Sequence, residues 1–163
     1  MLDEFWKLDE NKDENWSGNK NLQTCYYDFM QSKDFVEGNA GNKPKDAREK
    51  TSGLVDIGLI DDGRKLSNAG KALLKITSEN DFSSNNQFQI AKDSYIYLKQ
   101  LLKTYYNVDG HTVRPLMVLI HLLDEFDYLT LDEFTYLLPL CIGEVETAEI
   151  VDGISKLRSG STS

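Results

Sequence analysis

The chain has little cysteine, no long apolar run and no basic leader, and each shortage removes a class of protein. Its two cysteines, Cys25 and Cys141, lie far apart and outside any C-x-x-C pattern, which argues against a disulfide scaffold and a zinc knuckle. The longest apolar run, Leu116 to Leu123, is broken by His121 and falls short of the roughly 18 to 20 residues that a bilayer span needs. No membrane partner is expected. The first ten residues are acidic where a secretory signal would be basic and then apolar, so a reducing cytoplasm is the expected location. Repeats and low-complexity tracts are absent. The two histidines, His111 and His121, have no Cys or His at ligand spacing, which argues against a zinc site.

What is there is a chain of 163 residues, 40% hydrophobic, with a net charge of −9. That length supports one compact domain or two small ones. The charge is uneven. Residues 1–40 hold 4 basic and 9 acidic residues, 41–114 hold 12 and 9, and 115–163 hold 2 and 9. A locally basic segment between two acidic ones suits a folded module with one nucleic-acid face.

Apolar spacing predicts a mainly α fold. Leu22, Cys25, Tyr26, Phe29 and Met30 form the stripe of a first helix, which stops near Gly38. A second helix opens with Asn42 as cap and Pro44 in its first turn and runs to Gly58. Leu59-Ile60 and Lys65-Leu66 flank the turn Asp61-Asp62-Gly63-Arg64 and are expected to pair as a short β-hairpin. Ser67 caps a third helix that reaches Ile76. The segments Asp9 to Lys20 and Arg158 to Ser163 are polar and read as unfinished ends. Residues 1–76 are therefore expected to form one subdomain with an acidic N-terminal segment, 77–87 a linker, 88–158 a second helical subdomain, and 159–163 a tail.

In the second subdomain, helical spacing covers Phe88 to Tyr106 and ends in the turn chemistry of Asn107-Val108-Asp109-Gly110. Leu116, Leu119, Ile120, Leu122, Leu123 and Phe126 read as the inward side of the next helix, with His121 at the edge of the core. Thr130-Leu131-Asp132-Glu133 is a capping box, whose helix ends near Pro139. A last helix, Val145 to Leu157, carries Ala148, Val151, Ile154 and Leu157 on one side.

The unit of helix, turn, tiny strands and helix over residues 42–76 carries Arg48, Lys50, Arg64, Lys65 and Lys71. Helix-turn-helix relatives set basic side chains on phosphates and a helix in the major groove. Arg64 and Lys65 would lie on a wing, and Asn68 is the residue type that reads an adenine edge with two hydrogen bonds. Arg48, Lys50, Arg64, Lys65, Asn68 and Lys71 are the candidate contacts to double-stranded DNA. Glu10-Asn11-Lys12 has the local spacing of a nuclease triplet, but nothing before it could supply the first carboxylate or the sheet. The carboxylates Asp124, Glu125, Asp127, Asp132 and Glu133 read as a solvated acidic surface, and Cys141 as a small buried hydrophobe. No catalytic or metal-binding residue is assigned.

The run from Ala47-Arg48 through Gly58-Leu59-Ile60, Asp61-Asp62-Gly63 and Ser67-Asn68-Ala69-Gly70 to Leu73-Leu74 resembles the N-terminal part of AlwI-type type IIS restriction endonucleases and related site-specific nicking enzymes. Tyr97 to Tyr106 and Arg114 to Phe134 resemble the helices that come next in that family. The resemblance covers about residues 20–157. It implies a sequence-specific DNA-recognition region built of two winged-helix-like subdomains. It also implies a separate C-terminal nuclease domain of the PD-(D/E)-x-K type, dependent on Mg2+, as a partner of this part and outside it. The competing reading, from the net charge and the tyrosines at 95, 97, 105 and 106, is an acidic helical protein-protein interaction module.

Overall fold

The structure, a computed structural model, describes residues 1–160, and the last residues of the expected tail, 161–163, lie outside the described residues. The chain forms two compact units, one from Met1 to Gln100 and one from Leu101 onward. Both are mainly helical. No helix among the described residues is long and apolar enough to cross a membrane.

The first unit contains α1 (Leu2–Trp6), α2 (Lys20–Ser32), α3 (Lys43–Asp56), α4 (Asn68–Glu79) and nearly all of α5 (Lys92–Lys103). The N-terminal segment is core rather than an unfinished end. Phe5 and Trp16 are buried, and Phe5 meets Tyr26 edge-on with ring centroids 5.0 Å apart. Trp16 meets the same tyrosine at 5.6 Å. The buried Asn11 donates its side-chain amide to the Phe5 carbonyl at 3.2 Å. A polar run can close over a core when its one large apolar side chain is driven inward, with about 1.5–3 kcal/mol for a fully buried residue of this kind. Burial of Tyr26 in this aromatic cluster pushes its phenol up to about 12.

Helix α2 starts on Asn19, whose side chain accepts from the Leu22 amide at 3.0 Å. The expected stripe fails at one position: Cys25 is exposed, while Gln23 and Tyr27 are buried. Polar partners make that burial possible. The Gln23 side chain donates to the Trp16 carbonyl at 3.0 Å, and the Tyr27 hydroxyl accepts from the Ala40 amide at 3.2 Å.

Helix α3 opens as the spacing predicts, with the Asn42 side chain accepting from the Lys45 amide at 3.1 Å and Pro44 in the first turn. The two strands expected at 59–66 reduce to one antiparallel bridge, Ile60 with Leu66. The Asp61 amide donates to the Lys65 carbonyl and the Arg64 amide to the Asp61 carbonyl, both at 2.9 Å. The turn therefore closes at once, and Ser67 starts the next helix before the strands can lengthen. Between α4 and α5, residues 80–91 form no regular element. There the Asp81 carboxylate accepts from the Lys92 ammonium and the Ser83 hydroxyl, which hold it below the usual carboxylate range. Helix α5 starts at Lys92, four residues after the expected Phe88.

The second unit opens with a hairpin, β1 (Tyr106–Val108) and β2 (His111–Val113), in which Tyr106 faces Val113 and Val108 faces His111. It lies where only a helix-ending turn is expected. Asp109 and Gly110 both have positive φ, +49° and +84°, the geometry that two-residue hairpin turns require. Helix α6 (Pro115–Phe126) comes next, but of its six expected inward side chains only Leu122 is buried. Ile120 and Leu123 are exposed, as is His121. This helix is apolar nearly all round, and one packed face covers only part of its circumference.

The capping box forms as read. The Glu133 amide donates to the Thr130 hydroxyl at 3.2 Å, and the Glu133 carboxylate accepts from the Thr130 amide at 2.7 Å. The helix it starts widens into a π-turn at Glu133–Leu137 and tightens into a 3-10 turn at Leu138–Leu140, since Pro139 has no amide to continue the α ladder. Helix α7 (Glu144–Ser159) buries Ile154, half-buries Val151 and leaves Ala148 and Leu157 exposed, which corrects the expected four-residue stripe. It ends on Gly160 at φ +70°.

Near that end, Arg158 donates to the Glu133 carboxylate at 2.6 and 2.9 Å and to the carbonyl of Tyr128 at 2.8 Å. Its guanidinium lies 4.3 Å from the Tyr128 ring centroid and 4.9 Å from that of Phe126. The hydrogen bonds from Arg158, with those from Thr130, bring Glu133 down to about 2. A carboxylate depressed on folding stabilises above its unfolded pKa and loses that contribution as pH falls through its folded one. The second unit should therefore lose stability between about pH 5 and 2, and Glu133→Gln should be less stable at pH 7 but flatter over that interval. Thermal melts of both proteins at pH 7, 4 and 2.5 check this; parallel curves would contradict it.

Candidate nucleic-acid interface

All six residues nominated for DNA contact lie in the first unit, on α3, α4 and the turn between them. The junction is built from Ser67 and Gly70. The Ser67 hydroxyl donates to the Gly58 carbonyl at 2.7 Å and accepts from the Gly70 amide at 3.1 Å, so one side chain ties the end of α3 to the start of α4. Gly70 is buried against the preceding segment. A Cβ there would stand 2.1 Å from the Leu59 carbonyl oxygen, so no larger residue fits without moving the helix.

Arg64 occupies the left-handed region at φ +63°, where a non-glycine residue is strained. Contacts from both its backbone and its side chain hold it there. Its carbonyl accepts from the Trp6 indole at 2.7 Å, its Nε donates to the Thr51 hydroxyl at 2.9 Å, and its guanidinium lies 5.8 Å from the Trp16 ring centroid. Arg48 reaches the same region from α3, donating to the Gln23 side-chain oxygen at 2.6 Å. Gln23 in turn holds the Trp16 backbone. Lys65 is exposed and stands 5.0 Å from the Trp6 ring centroid, with its ammonium donating to the Lys12 carbonyl at 3.3 Å.

The structure thus gathers Arg48, Arg64 and Lys65 about the N-terminal tryptophans. Lys50, Asn68 and Lys71 are not part of that group. All three are exposed, and neither Lys50 nor Lys71 forms an ion pair among the described residues. Lys50 borders an apolar cavity of about 300 Å³ that Gly70, Leu73 and Leu74 also line. Asp61 and Asp62 are exposed beside Arg64 and temper the positive potential of the turn. Asn68 sits at the first position of α4.

The residues that position the cations are Trp6, Trp16, Gln23 and Thr51. Trp16 was the available signal: a lone large aromatic in a charged run either sits in a core or meets a partner. Elsewhere, burial pushes the Cys141 thiol up, which keeps it protonated and fits its place as a small apolar side chain. Among the described residues no group of three or more His, Cys, Asp or Glu side chains is placed to hold a metal ion.

A family model described as AlwI restriction endonuclease matches residues 55–163, which include Arg64, Lys65, Asn68 and Lys71 but leave Arg48 and Lys50 outside. No curated protein matches the chain. No solved structure matches it either.

Gly70→Ala should destabilise the first unit by about 1–3 kcal/mol, the usual cost of overpacking a close contact. Asn68→Ala, on the same turn but exposed, should stay within about 0.5 kcal/mol of the parent. Urea midpoints of the two variants compare them directly, and equal midpoints would show that Leu59 yields to the added methyl.

Proposed function

This chain belongs to the AlwI restriction endonuclease family, and on that premise we propose that it recognises a short asymmetric site in double-stranded DNA, as the recognition region of a type IIS restriction enzyme. Membership in a restriction-enzyme family brings DNA as partner. The observation that carries the finer reading is the joint between α3 and α4. The Ser67 cap and the close approach at Gly70 fix α4 against the bridge, while Asn68 and Lys71 stay exposed on it. We take α3, the Ile60–Leu66 bridge and α4 as a winged-helix-like unit, with Asn68 on a base edge and α4 toward the major groove.

The six residues divide by what already holds them. Lys50 and Lys71, exposed and outside ion pairs among the described residues, would meet phosphates, and so would Lys65, exposed and held only by the Lys12 carbonyl and the Trp6 ring. Arg48 and Arg64, bonded to Gln23 and Thr51, would set the turn at the right height and lend their remaining donors. Strand cleavage in this reading belongs to a Mg2+-dependent nuclease domain contributed by other residues, cytoplasmic like its DNA. The two strands of the second unit read Tyr-Asn-Val and His-Thr-Val, without carboxylate or lysine. The described residues do not fit the metal.

Selection from a random duplex library should enrich one short asymmetric motif, and residues 1–163 alone should leave plasmid DNA uncut with magnesium present. Lys50→Ala with Lys71→Ala should weaken all duplexes alike and lower the salt slope by about 0.9 for each phosphate no longer neutralised. Asn68→Ala should cost about 1–3 kcal/mol on the enriched site and little on random duplex. Arg64→Ala should lower the melting temperature as well as affinity. An unenriched library, or an unchanged salt slope in the lysine variant, would remove the reading.

A further inference from the structure

Residues 101–163 hold 10 acidic and 4 basic residues, and two of the four cations are spent internally, Lys156 on Asp152 and Arg158 on Glu133. Against that charge the segment 124–136 turns large apolar side chains outward. Tyr128 is 60% exposed, Leu131 79%, Phe134 47% and Tyr136 68%. The same stretch carries the exposed carboxylates of Asp124, Glu125 and Asp127 just before Tyr128 and of Asp132 just after Leu131.

Exposed apolar side chains of this size in one short stretch are a mark of an interaction surface. The stretch is also ordered from within. The Thr130–Glu133 capping box fixes its middle, and Arg158 stacks on Tyr128 while holding the carbonyls of Phe126 and Tyr128. A surface ordered before binding loses less entropy when a partner arrives.

We propose that residues 124–136 form a docking surface for a basic protein segment whose apolar side chains cover Tyr128, Leu131 and Tyr136 while its lysines or arginines face the four carboxylates. Charge selects this occupant. Nucleic acid would bring phosphates against the carboxylates, and a second copy of the chain would bring the same acidic unit. The surface belongs to the second unit, whereas α3 and α4 belong to the first, and it does not rest on the DNA reading.

The test uses the whole 15N-labelled chain and a synthetic peptide of lysine and leucine at helical spacing. Its binding should shift amides of 124–136 and Arg158, and sedimentation of the chain alone should show a monomer. Leu131→Ser with Tyr136→Ser should weaken the peptide at least about tenfold, as removal of central apolar anchors does. Asp127→Asn with Asp132→Asn, which keeps the side-chain shapes, should weaken it several-fold and reduce its salt dependence. The proposal is overturned by shifts elsewhere on the chain, or by equal binding of a peptide with the same composition in scrambled order. Displacement of the peptide by duplex DNA at these same amides overturns it too, as does a dimer of the free chain that Leu131→Ser dissolves.

Discussion

The first unit hangs on a single strained residue. Arg64 sits at φ +63° in a turn where glycine or asparagine would cost less, and it stays because both ends of the residue are used. The carbonyl accepts from the Trp6 indole, and the guanidinium donates to the Thr51 hydroxyl and lies 5.8 Å from the Trp16 ring centroid. Release of these interactions would free the turn from both N-terminal tryptophans. The turn also precedes the Ser67 cap by only three positions, so the start of α4 inherits its geometry. A cation that sequence alone would send to phosphate therefore serves first as a brace.

The second unit uses the same device with opposite emphasis. Arg158 spends its charge on Glu133 and its remaining donors on two carbonyls, which closes α7 onto the segment after α6. That internal use leaves the unit's surface strongly acidic and several of its aromatic side chains uncovered. The two units thus divide the net charge of −9 unequally. The exposed lysines Lys50 and Lys71, outside any ion pair among the described residues, stand in the first, and the acidic, apolar surface at 124–136 stands in the second.

Much of the local structure was legible because it depends on neighbours in sequence. Asn42, Ser67 and the Thr130–Glu133 pair cap helices as read, since a cap needs only a short polar side chain beside orphan amides. Illegible were the positions decided by distant partners: Gln23 buried in place of Cys25, and Trp16 drawn into the core from a charged run. The hairpin expected at 59–66 shrinks to the Ile60–Leu66 bridge and a longer one at 106–113 went unread, although Asp61-Asp62-Gly63-Arg64 and Asp109-Gly110 both carry turn chemistry. Strand length is set by the residues beyond the turn, a helix cap at Ser67 in one case and free strand residues before Arg114 in the other.

By itself the sequence determined the helical periods, their caps and turns, the uneven charge and the motif that places the chain among restriction enzymes. Each arises from spacing along the chain, where the relevant partners are at most four residues away. Only the tertiary structure decided which cations are occupied and which are free. Arg48, Arg64 and Arg158 bond to Gln23, Thr51 and Glu133, which stand 25, 13 and 25 positions away in the chain. A guanidinium is equally suited to phosphate, amide, hydroxyl and carboxylate, so its identity carries no information about which acceptor packing brings within reach.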